Sequence, residues 1–151
     1  MQVVTPETQS EIVNDNKKIF LAGTIDNGHS INWEQEVINR LKEKNADITI
    51  YNPRRDNWNE NATAIDVCKQ IEWEQIHLDK ADLIIMVLAD DSKSPISLLE
   101  LGLYAKENKI IVFCTDKFYR WHNVWMTCKK YNIPLYSKIN AKDIANVIMT
   151  H

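Results

Sequence analysis

The sequence predicts an α/β protein built on a mainly parallel sheet of about five strands, with helices on both faces. Three observations predict it. Short, almost continuously apolar runs recur at 19–23 (IFLAG), 48–52 (ITIYN), 82–88 (DLIIMVL) and 110–114 (IIVFC). Each is too short for a typical helix and apolar on both faces, as a strand buried on two sides must be. Longer segments with apolar residues at helical spacing separate them, and strands alternating with helices are the pattern of a parallel sheet.

The elements follow in order. Residues 1–16 are polar, carry Pro6 and show no sustained period, so they are expected to form a mobile arm or an oligomer-clasping extension ahead of a single domain over 17–151. The first strand ends at Gly23. Ser30 or Asn32 then caps a helix carrying Trp33, Val37, Ile38 and Leu41, which ends near Asn45. The second strand is halted by Pro53, and a loop rich in Asn and Arg follows to about Asn61. From Ala64 to Lys80 there is no Gly or Pro, and Cys68, Ile71, Gln75 and Leu78 mark one face of a long helix. The central strand is 82–88. Pro95 suits the first position of a helix reaching about Glu107. After 110–114 come a segment with Trp121, Asn123 and Trp125, a short apolar piece around Leu135, and a last helix that Asn140 caps.

Composition bounds the partners. A chain of 151 residues, 44% hydrophobic and 26% charged, fits one globular domain. A net charge of −3 gives no footprint for nucleic-acid polymers or anionic membranes. Cys68, Cys114 and Cys128 lie far apart and fit neither a zinc spacing nor a disulfide framework. His29, His77, His122 and His151 are scattered, so no metal is implied, and no motif suggests an organic cofactor. The N-terminus lacks a signal-peptide pattern and no apolar run could span a bilayer, so a cytoplasmic protein is expected.

In such sheets ligands bind beyond the carboxyl ends of the strands, near the reversal of strand order. The loops there supply Gly23, Thr24, Ile25 and Asp26, then 52–58 with Trp58, then 89–94, then 115–123. Glu100 lies on a helix, yet side chains lean toward the helix N-terminus, and that turn faces the crevice. Its neighbours Leu98, Leu99, Leu101 and Leu103 desolvate it, while the helix dipole favours its ionised form, a balance compatible with an ionised carboxylate at neutral pH. Strand direction puts Asp82 at the amino end of its strand, away from the crevice. Arg54 and Arg55 suit either a phosphate or carboxylate, or salt bridges at a subunit interface. Of the five tryptophans, one or two could stack on a base.

Taken together, KIFLAGTI, YNPRRDNW, QIEWEQIHLDKADLIIMVL, PISLLELGLYA and the pair Asn123-Val124 resemble the nucleoside 2-deoxyribosyltransferase family, in the right order over roughly residues 18 to 125. The resemblance implies a flavodoxin-like three-layer αβα sandwich and a double displacement on deoxyribonucleosides and free nucleobases. In that mechanism Glu100 attacks C1′, the base departs, and a second base takes the sugar. It also implies that Asp82 serves proton transfer to the departing base or holds the site, that Gly23, Thr24, Ile25 and Asp26 line the base and sugar pocket, and that Asn123 reaches a neighbouring subunit's site in a homo-oligomer. Ser94 stands where the best-known members carry an aspartate for the 5′-hydroxyl; related nucleotide N-glycosidases use a serine there for a 5′-phosphate. Three readings follow: deoxyribosyl transfer, hydrolysis of deoxynucleoside 5′-monophosphates, or a nucleotide-binding module without turnover.

Overall fold

The computed structural model describes residues 1–25, 31–55 and 61–151. Asp26, Trp58 and the alternative cap Ser30 lie outside the described residues. The chain forms strands β1 (Gln2–Val4), β2 (Lys17–Gly23), β3 (Ile48–Tyr51), β4 (Leu83–Leu88), β5 (Ile110–Cys114) and β6 (Leu135–Tyr136). Helices α1 (Trp33–Glu43), α2 (Ala64–Lys80), α3 (Pro95–Tyr104), α4 (Trp121–Tyr131) and α5 (Ala141–Thr150) connect or follow them. The strands make one parallel sheet in the order β1-β3-β2-β4-β5-β6, a flavodoxin-like sandwich.

Alternation along each strand sorts the core into two layers. Phe20, Ala22, Ile84, Met86, Leu88, Val112 and Cys114 face α2, α3 and α4, while Ile19, Leu21, Leu83, Ile85, Val87, Ile111 and Phe113 face α1 and α5. All six residues of β4 are buried, which marks it as the centre of the sheet. At roughly 1.5–3 kcal/mol for each large apolar side chain, this strand is a main source of stability. The chain has three glycines, so asparagine supplies most of its left-handed turns. Asn45, Asn108 and Asn132 follow α1, α3 and α4 with φ of 52°, 55° and 56°. Asn32, Thr63 and Asn140 cap α1, α2 and α5 through their side chains.

The structure amends the sequence reading in three places. Gln2–Val4, assigned to a mobile arm, is a sixth strand, pairing with β3 from Gln2 opposite Thr49 to Val4 opposite Tyr51. The rest of that segment is tied down by acids: Glu11 accepts a 2.9 Å hydrogen bond from Tyr51 Oη and lies 3.8 Å from His77 Nε2, and Glu7 pairs with Arg55. The segment with Trp121, Asn123 and Trp125 is helix α4, which buries Val124 and Cys128 four residues apart. On α2, Leu78 is buried as expected, but Cys68, Ile71 and Gln75 are exposed. The amino-terminal half of that helix does not lie on the sheet; it walls a cavity. No helix among the described residues is long and apolar enough to cross a membrane.

Candidate active site

A cavity of about 540 Å³ opens over the carboxyl end of β2, between α2 and α3. Strand order reverses here: β3 lies on one side of β2 and β4 on the other. Phe20, Ala22 and Gly23 form its floor, Val67, Gln70, Ile71, Glu74 and Leu78 one wall, and Ser94, Ser97, Leu99, Glu100 and Tyr104 the other. Gly23 has φ of +130°, and a Cβ there would sit 2.0 Å from Val87 O, so glycine is what lets β2 leave the sheet beside β4.

Glu100 faces this cavity from the second turn of α3, as the lean of helical side chains requires. Among the described residues none donates a hydrogen bond to its carboxylate. Burial, and then the charge of Glu74 across the cavity, push its pKa up to about 8. The helix dipole does not hold it down, because that effect fades within the first turn and Glu100 is the sixth residue of α3. Burial therefore favours the protonated form of Glu100, against the ionised carboxylate expected from the sequence.

Glu74 is the partner that the sequence reading missed. It stands on α2 with Gln70 one turn before and Leu78 one turn after, all lining the cavity. Burial raises its pKa, opposed by a 3.1 Å hydrogen bond from Gln70 Nε2 to Oε1. A second bond from the same nitrogen, 3.1 Å to Pro53 O, fixes the amide, since a backbone carbonyl can only accept. The signal was the spacing of Gln70, Glu74 and Leu78 by fours, which places two polar side chains on the inward face.

Asp82 is elsewhere. Its Oδ2 accepts from Lys18 N at 2.7 Å and its own N–H donates to Lys18 O at 2.8 Å, stapling the amino ends of β2 and β4. It precedes the first residue of β4 and does not line the cavity. Asp82 thus stands outside the cavity, and the acid that lines it with Glu100 is Glu74.

Gly23, Ile25 and Ser94 line the cavity with Glu100, and Thr24 lies buried behind them. Thr24, Ser92 and Ser94 join their hydroxyls in a closed triangle, with oxygens 2.7–2.8 Å apart, and Thr24 Oγ1 also accepts from Ala89 N at 3.0 Å. Ser94 has φ of 44° and its side chain does not cap α3; it turns back to Thr24 and Ser92. Ser97, 5% exposed, lines the cavity with its hydroxyl unbonded among the described residues, one turn before Glu100. Asn123 is exposed on α4 and does not line the cavity. Arg54 is not at the site: its Nη1 lies 3.3 Å from Glu34 Oε2 in a buried pair and donates to Ile31 O. Arg55 does line the cavity, and its Nε lies 3.4 Å from Glu7 Oε1.

Fold and site together define a flavodoxin-like protein with two half-buried carboxyl groups lining one cavity at the strand-order reversal. The chain belongs to the nucleoside 2-deoxyribosyltransferase-like family, whose model matches residues 16–118. Among solved structures it is similar to a conserved protein from Enterococcus faecalis V583, with a TM-score of 0.66 and 15% identity, over 90% of this chain and 99% of that one. At that identity the likeness speaks for the fold. Among curated protein sequences, none matches the chain significantly.

Proposed function

We propose that the protein transfers 2-deoxyribose between nucleobases, with Glu100 as nucleophile and Glu74 as the acid and base. The observation that carries this reading is the coupled pair itself, two carboxyl groups sharing one cavity with pKa values raised by burial and Glu100's raised further by its neighbour. Burial and the repulsion between two carboxylates favour one proton on such a pair over none, and that proton belongs to the pair. Displacement needs that state. The reactive form carries the proton on Glu74, to which it must pass from Glu100, where burial favours it in the free protein; ionised Glu100 then attacks C1′, the C1′–N bond breaks with its electrons passing to the base, and the proton of Glu74 goes to that base. In the second half an acceptor base attacks C1′, the ester to Glu100 breaks, and Glu74 takes up the proton the incoming nitrogen loses. Because Gln70 occupies Oε1 of Glu74, the proton is delivered from Oε2.

The surface supports a site completed by a second copy, with Asn123 as the residue reaching across. Val67 and Ile71 on α2, Ile96, Leu99 and Leu103 on α3, and Trp125 and Met126 on α4 are large apolar residues exposed at 38–59%. Several of them rim the cavity. An exposed apolar surface of this kind around a site is a common feature of subunit contacts.

A second reading has its own observation. The N–H groups of Ile96 and Ser97 in the first turn of α3 lack intrahelical acceptors, and the buried Ser97 hydroxyl lies beside them. This arrangement suits a 5′-phosphate, with water replacing the acceptor base. Incubating the protein with deoxynucleosides and free bases in every pairing, and separately with deoxynucleoside 5′-monophosphates, decides between them. Transfer predicts new nucleosides; hydrolysis predicts free base released faster from the monophosphates. Neither product in any pairing contradicts both.

A further inference from the structure

Gln70 is oriented in a way that packing alone does not ask for. Its Nε2 donates to Pro53 O and to Glu74 Oε1, each at 3.1 Å, so both amide hydrogens are committed. Its own Oε1 is shut off from solvent and has no hydrogen-bond partner among the described residues. A buried acceptor left unpaired costs stability, and a leucine or methionine would fill the same wall without that cost. The gain lies on the nitrogen side. Pro53 O can only accept, so it fixes which end of the amide faces the loop, and the second N–H then points at one oxygen of Glu74. A turned amide would set an oxygen against both of those acceptors. Glu100 receives no such donor among the described residues, although the two acids line one cavity. A hydrogen bond to the charged form favours ionisation, so Gln70 makes the two carboxyl groups unequal. Burial raises the pKa of both, and only in Glu74 does a donor oppose it.

We propose that Gln70 is a positioning residue for the acid–base step: braced on Pro53 O, it holds Glu74 by Oε1 and leaves Oε2 to exchange the proton with the base. The proposal rests on the catalytic reading and adds to it a cause for the division of roles between two like acids. With that donor in place, Glu74 is the member of the pair that gives up its proton first as the pH rises. When the base departs, the Glu74 Oε2–H bond breaks, an N–H bond forms on the base, and the carboxylate left behind keeps its Gln70 donor at Oε1. In the second half the same Oε2 takes a proton back from the incoming base. The other ionisable groups that line the cavity are Arg55 from the loop after β3 and Glu100 and Tyr104 from α3. Both hydrogens of Gln70 are committed, so its bond acts on Glu74 and on none of these.

The test compares wild type with Gln70→Leu, and with Gln70→Met where the leucine variant does not fold. It measures base exchange with ordinary deoxynucleosides and with a deoxyribosyl donor whose leaving group needs no proton, the pH profile of exchange, and the carbon-13 NMR titration of the Glu74 carboxyl, assigned with Glu74→Gln. Exchange with ordinary nucleosides is expected to fall about 10–100-fold, part of the cost of losing a positioned proton donor, while the activated donor changes by less than about threefold. Glu74 should titrate at higher pH without its donor. The acidic limb of the profile should move up with it, while the alkaline limb, which follows Glu100, moves less. A wall that is merely loosened lowers the rate with both donors and leaves the acidic limb in place. Equal losses with both donors, an unmoved acidic limb or an unmoved Glu74 titration overturns the proposal. A Glu74 titration that moves in a protein without exchange removes the catalytic reading and leaves the hold of Gln70 on Glu74 standing; exchange by wild type with an unmoved titration does the reverse.

Discussion

Replacing Glu100 by glutamine keeps the shape of the side chain and removes a charge that the fold holds in a largely apolar wall. Unfolded, this carboxyl titrates near its ordinary value of 4.5; folded, it titrates at about 8. Between those values the folded chain binds a proton the unfolded chain lacks. The group's contribution to stability is therefore complete below about pH 4.5 and is lost as the pH rises through 8. The full displacement corresponds to an upper limit of about 5 kcal/mol. Water entering the open cavity and relaxation of its walls reduce this to about 2 kcal/mol. Glu100→Gln should therefore raise Tm at pH 9 by about 4–8 °C in a chain of this size. At pH 5 it should differ from wild type by less than about 0.5 kcal/mol. Thermal melts of both proteins from pH 5 to 9 give the comparison. In a Glu74→Gln background the gain should shrink, because one of the two causes of the shift is gone. If wild type and Glu100→Gln melt alike at pH 9, Glu100 is not held in the environment described and the coupled pair is not real.

Three further outcomes follow from the site and its support. Glu74→Gln should slow base release by about 10²–10⁴-fold, the range for losing a positioned proton donor, while a deoxyribosyl donor whose leaving group needs no proton is slowed far less; rates with both donor types check this. Gly23→Ala should destabilise by more than about 3 kcal/mol, since its Cβ meets the Val87 carbonyl at 2.0 Å and alanine is strained at φ +130°; a denaturant midpoint measures it. Thr24→Val should lose about 1–3 kcal/mol by opening the hydroxyl triangle and leaving Ala89 N–H without its acceptor, read by urea unfolding at constant m-value.

The sheet was legible because β2, β3, β4 and β5 are apolar on both faces and bounded by Gly, Pro and Asn, which leaves few alternatives. Gln2–Val4 was not, because an edge strand of three residues among polar ones carries no period; its place is settled by pairing with β3. Glu100 could be aimed correctly from helical lean alone, whereas its protonation could not, since that depends on a second acid from another helix. Glu74 escaped notice for the same reason. Its neighbours in the chain suggest a solvated helix face, and the first half of α2 does lie off the core, yet its inward side is a cavity wall and not open water. Ser94 does line the cavity, but its left-handed backbone and the hydroxyl bonds to Thr24 and Ser92 were not readable from the sequence. Asp82 shows the converse: strand direction placed it properly at the amino end of β4, while the resemblance had implied a place at the site, where a different acid, Glu74, lines the cavity.

The central claim is a covalent bond between the sugar and Glu100. Incubation with a 2-fluoro-substituted deoxynucleoside, followed by mass spectrometry of the intact chain and its peptides, tests it most directly, because the fluorine slows breakdown of the glycosyl ester. The account predicts one added fluorosugar per chain, on the peptide containing Glu100, absent in Glu100→Gln and formed more slowly in Glu74→Gln. An adduct on any other residue, or base exchange at normal rates with no adduct at Glu100, would contradict it.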